Sequence, residues 1–97
     1  MSNAFTHRQA KIITDILSHY LYPFLAFGSR VKGAHREYSD LDLCYQADIP
    51  DSVIAQLMDD FEQSDLPFKV DIVAWKRCSP EFQQIIKDDL VPLETLL

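Results

Sequence analysis

The chain has 97 residues, 47% of them apolar, with 9 Lys+Arg against 15 Asp+Glu and a formal charge of −6. A chain of this length buries only about 60 to 65% of the surface it exposes when unfolded, enough for one core of helices on a sheet, so a single domain is predicted over 1–97. Its apolar runs fall short of the roughly 18 residues a membrane span needs, and its acidic balance argues against binding nucleic acid backbones, which draws on Lys and Arg. The N-terminus, Met1-Ser2-Asn3-Ala4-Phe5-Thr6, runs straight into a charged helical pattern without the features of a secretory signal, which predicts a cytoplasmic protein.

Ile12, Ile13, Ile16, Leu17, Tyr20 and Leu21 recur at helical spacing and predict an amphipathic helix over about 6–21, capped by Thr6. Phe24 to Phe27 reads as a short buried strand, stopped by the sharp turn signal Gly28-Ser29. After a polar stretch from Arg30 to Ser39, the run Asp40-Leu41-Asp42-Leu43-Cys44-Tyr45 alternates at period two. A strand here places Leu41, Leu43 and Tyr45 on one face and Asp40, Asp42 and Cys44 on the other. Pro50 opens a second helix whose stripe of Val53, Ile54, Leu57, Met58 and Phe61 reads as core. Phe68 to Trp75 is a further strand, with Asp71 interrupting an otherwise apolar element. Ser79-Pro80-Glu81 has the chemistry of a helix start, with Phe82, Ile85, Ile86 and Leu90 as its apolar face and Pro92 as its stop. Val91 to Leu97 is left as an apolar tail that either packs back on the domain or serves a partner. The order of elements predicts an α/β or α+β domain.

The chemistry concentrates in the segment from Gly28 to Leu43 and in Asp71. A site that attacks the α-phosphate of a nucleoside triphosphate needs divalent ions on hard oxygen ligands, which Asp supplies from a short, stiff side chain. Asp40 and Asp42 could bridge two metals, and Asp71 from a neighbouring strand could complete the shell of the ion that activates the incoming hydroxyl. Gly28 lets the backbone approach a phosphate, Ser29 offers an amide and a hydroxyl, and Arg30 and Lys32 could add positive charge. His7, His19 and His35 share no metal-ligand spacing with one another or with Cys44 and Cys78, so no zinc site is predicted, and both cysteines read as reduced packing residues. A P-loop fails because Ala34-His35 stands where Lys-Ser/Thr is required, and an EF-hand starting at Asp40 fails at Tyr45 and Asp51.

Gly28-Ser29, ten residues and Asp40-Leu41-Asp42 together resemble the signature of the minimal nucleotidyltransferases of the DNA polymerase β-like superfamily, with Gly33 and Ser39 also where members commonly carry Gly and Ser. The likeness covers a core of about 8–90. It implies a small mixed sheet with helices packed on one face, two Mg²⁺ ions (Mn²⁺ as an alternative) held by Asp40, Asp42 and Asp71, and a nucleotide at Gly28, Ser29, Arg30 and Lys32. It further implies transfer of a nucleoside monophosphate, with ATP or another triphosphate as donor. Larger superfamily members carry additional domains for the acceptor, so a chain of this length is expected to act with a second protein. By the same resemblance that partner is a small helical HEPN-type protein in a toxin-antitoxin pair, AMPylated on a hydroxyl by this chain as antitoxin. The alternatives are a non-catalytic subunit that neutralises its partner sterically, and a small-molecule nucleotidyltransferase with a separate acceptor-binding subunit.

Overall fold

The computed structural model describes residues 4–97, so the leader-free reading of Met1 to Asn3 concerns residues outside this range. Helix α1 (His7–Leu17) starts at a full capping box: the Gln9 N–H donates to Thr6 Oγ1 at 3.1 Å, and the Thr6 N–H donates to Gln9 Oε1 at 3.0 Å. The helix ends four residues earlier than its apolar spacing predicts. Ser18 caps it while its hydroxyl bonds back to Asp15 O, and Tyr20 leaves the helix to donate its hydroxyl to Asp60. Tyr20 thus stays against the core from outside the helix, a contact that helical spacing alone cannot distinguish from helix continuation.

Strands β1 (Leu25–Phe27), β2 (Leu41–Tyr45), β3 (Val70–Ala74) and β4 (Val91–Pro92) form one sheet in the order β3-β2-β1-β4. β1 runs antiparallel to β2 and β4, whereas β2 and β3 are parallel. The parallel pair requires a crossover, and helix α3 (Asp51–Glu62) supplies it. The sheet is therefore mixed and the architecture α+β.

The main core lies between one sheet face and helices α1 and α3. Leu41 and Leu43 are fully buried there with Ile13, Ala26 and Leu57, at the parity predicted for β2. A smaller cluster forms on the opposite face from Phe27, Cys44 and Ile86, the last from helix α4 (Pro80–Ile86). Helices thus pack on both faces, not on one, because the backside of β1 and β2 carries Phe27 and Cys44, which need cover as much as the front does. Cys44 is fully enclosed, and burial pushes its thiol up to about 11; both cysteines are free.

The C-terminal segment also departs from expectation. α4 stops at Ile86 instead of running to Leu90, since Asp88 and Asp89 would meet the negative end of the helix dipole and Pro92 cannot continue a helix. The chain turns instead, and Val91–Pro92 pair with β1 as an edge strand, where a proline is tolerated. The Leu93 N–H donates to Phe24 O at 3.0 Å, and Leu93 joins the main core at 1% exposure. The apolar tail is part of the fold. Among the described residues no helix is long and apolar enough to cross a membrane.

Candidate active site

β1 ends at Phe27 and the chain reverses through Gly28 (φ +85°, ψ −158°), a conformation that is essentially glycine-only. The four-residue helix α2 (Ser29–Lys32) follows and is closed by Gly33 in the left-handed region at φ +73°. Residues 34–40 then return to the start of β2. Antiparallel register puts Phe27 opposite Asp42, and parallel register puts Asp42 opposite Asp71. Gly28, Asp42 and Asp71 therefore fall in one strip across the sheet.

The approach is close. A Cβ on Gly28 would lie 2.6 Å from Asp42 Oδ2, well inside contact distance. Asp42 is half-buried, while Asp40 and Asp71 are exposed. The Asp42 carboxyl is shifted upward from its ordinary value, first by burial and then by the negative charges of Asp71 and Asp40. Among the described residues none of these three carboxylates forms a salt bridge. Mutually repelling acids on the ends of two adjacent strands suit a divalent cation, which removes the repulsion and takes hard oxygen ligands. As the side chains stand, no group of three His, Cys, Asp or Glu among the described residues is placed to hold a metal ion.

Two residues expected at a phosphate are placed differently. Arg30 is buried at 4% exposure, its guanidinium 4.0 Å from the Phe68 ring centroid and 5.2 Å from that of Phe5. It donates to the carbonyls of Ser39 (3.1 Å from Nε and 2.8 Å from Nη2), Ala4 and Glu37. Arg30 thus clamps the loop that delivers Asp40 and is not free to grip a phosphate. A guanidinium so enclosed spends its charge on carbonyl dipoles and ring faces. Lys32 pairs with Asp89 at 3.2 Å, tying α2 to the turn after α4, and remains half-exposed. Ser29, half-buried, opens α2 beside Gly28.

A cleft of about 620 Å³ adjoins the carboxylates and is lined by Asp40, Asp71, Tyr38, Met58, Phe61 and Lys69 among others. Met58 and Phe61, expected in the core from their helical spacing, line this cleft, and Tyr38 and Lys69 lie outside the motif that marks the site. The signal for Tyr38 is a large ring flanked by the polar residues Arg36-Glu37 and Ser39-Asp40.

Gly28→Ala is expected to cost about 1–3 kcal/mol of stability from backbone conformation alone. Displacing Asp42 should lower turnover by roughly 100-fold more than the stability loss explains, the effect of a misplacement of about 1 Å at a reacting centre. Melting temperature and turnover measured on the same preparation separate the two effects. Wild-type turnover in the variant would show that Gly28 does not set the position of Asp42.

The family described as "Polymerase beta, Nucleotidyltransferase" matches residues 11–93. The chain is also similar to a probable protein adenylyltransferase, MntA, of Haemophilus influenzae, with 41% identity over 75 residues. That match covers 75% of this chain and 66% of the relative's length.

Proposed function

This chain belongs to the polymerase beta nucleotidyltransferase family, and we propose that it transfers a nucleoside monophosphate, AMP from ATP, to a hydroxyl of a partner protein. The observation that carries the reading is the register of the sheet: Asp42 stands opposite Asp71, with Gly28 against the Asp42 carboxylate. Gly28 and Ser29 take the triphosphate, the glycine because a side chain there would occupy the space beside Asp42. Asp40, Asp42 and Asp71 hold two Mg²⁺ ions, for which Mn²⁺ can substitute. Bound metal supplies charge neutralisation at the phosphates and lowers the pKa of an incoming hydroxyl. The sheet fixes Asp42 and Asp71 before substrate arrives, so little reorganisation is needed when charge develops.

A protein acceptor is supported by the likeness to a probable protein adenylyltransferase. We place this chain in the cytoplasm as the antitoxin of a hetero-oligomeric pair, with a small helical HEPN-type protein as the acceptor, on the strength of the family resemblance. The test of the donor site is a calorimetric titration of ATP in Mg²⁺ and in EDTA. Affinity should fall by at least about 10-fold without metal, since three carboxylates then face the phosphates unscreened. Equal affinity in both buffers would remove the metal-site assignment.

A further inference from the structure

The cleft beside the carboxylates is lined by Asp40 and Asp71 but by none of Gly28, Ser29 or Asp42. It therefore opens on the side of the acidic pair away from the phosphate-binding turn. On the reading given under the proposed function, on which this inference rests, a hydroxyl that attacks the α-phosphate arrives from that side. The cleft already contains a phenol. Tyr38 lines it and is 66% exposed.

Its backbone is fixed on both sides. The Ser39 N–H donates to Arg36 O at 3.1 Å, the Arg36 N–H donates to Ser39 Oγ at 2.8 Å, and the Arg30 guanidinium holds the carbonyls of Glu37 and Ser39. A pinned turn thus presents an exposed aromatic hydroxyl two residues before Asp40. The other tyrosines are placed otherwise: Tyr20 donates its hydroxyl to Asp60, Tyr45 is 6% exposed, and Tyr22 lies after α1, outside the lining of this cleft.

We propose that Tyr38 is a self-modification site, its hydroxyl accepting the nucleotidyl group from a bound nucleoside triphosphate. A lone pair of Tyr38 Oη forms the bond to the α-phosphorus. The bond from that phosphorus to the oxygen bridging to the β-phosphate breaks, and pyrophosphate leaves with the electron pair. The phenolic proton passes to water, to which the exposed Tyr38 side chain is open. The product is a phosphodiester at Tyr38 that fills the cleft and closes it to an external acceptor, so that the modified chain is switched off for transfer.

The experiment incubates the full chain, without any partner, with ATP and Mg²⁺, and follows intact mass and peptide maps beside calorimetric ATP binding. A mass gain of one nucleotidyl group per chain is expected, mapped to Tyr38, absent in Tyr38→Phe and retained in Tyr22→Phe. Because Tyr38 is exposed, the phenylalanine variant keeps its fold, and the wild-type peptide map assigns the site independently of it. ATP binding with no mass gain, or with a gain that maps elsewhere or survives in Tyr38→Phe, overturns the self-modification and leaves the donor-site reading standing. Failure of ATP to bind in Mg²⁺ overturns both.

Discussion

Asp42→Asn is expected to lower nucleotidyl transfer by roughly 1,000-fold, the loss of several kcal/mol of metal-borne stabilisation at about 1.4 kcal/mol per decade of rate. The same substitution should leave the metal-free protein as stable as the wild type or more so. Asp42 is half-buried and repelled by Asp71 and Asp40, and its carboxyl is shifted upward for those reasons, burial first. A carboxyl whose pKa is raised in the folded state binds its proton more tightly there than in the unfolded chain. Its charged form therefore costs stability at neutral pH, and that cost disappears as the pH falls through the raised value. Thermal melts of wild type and Asp42→Asn in EDTA should differ most near pH 7 and converge on acidification. A variant that melts well below wild type at pH 7 would mark Asp42 as a structural residue, since breaking a buried polar network costs several kcal/mol.

Arg30→Ala should act on the fold. It deprives the carbonyls of Ala4, Glu37 and Ser39 of a shared donor and removes the cation between the rings of Phe5 and Phe68. Each hydrogen bond lost from the charged guanidinium costs about 1.5–3 kcal/mol, and a desolvated cation–π contact adds up to about 2 kcal/mol. A total loss of at least about 3 kcal/mol corresponds to a drop in melting temperature of more than about 10 °C for a domain of this size. Arg30→Lys should fall between the two, because an ammonium keeps the charge but lacks the planar fork that spans two carbonyls. Burial lowers the Arg30 pKa and the charge of Asp40 pushes it back up, which is consistent with a guanidinium enclosed beside the acidic end of β2. A melting temperature within about 2 °C of wild type in Arg30→Ala would show that the loop before β2 holds its shape unaided.

Local pattern is enough for the order of elements as far as α4 and for the parity of β2. Leu41 and Leu43 alternate with Asp42, and a one-residue slip would bury the carboxylate in the main core in place of the two leucines. Gly28-Ser29, with its spacing to Asp40 and Asp42, was legible because turn chemistry and side-chain alternation are local properties of the chain. What lay beyond local pattern was decided by partners distant in sequence. That Asp71 stands opposite Asp42 depends on the parallel crossover through α3, which no stretch of either strand encodes alone. In the sequence, Arg30 reads as a phosphate ligand from its place beside Gly28-Ser29. Only the approach of Phe5 and Phe68, from either end of the chain's order, shows that its charge is spent inside the fold. The C-terminal segment followed the same rule: Val91 to Leu97 has a free apolar face in the sequence, and the open edge of β1 is what takes it up. Helices on both faces of the sheet arose likewise, since Phe27 and Cys44 become a surface in need of cover only once β1 and β2 pair.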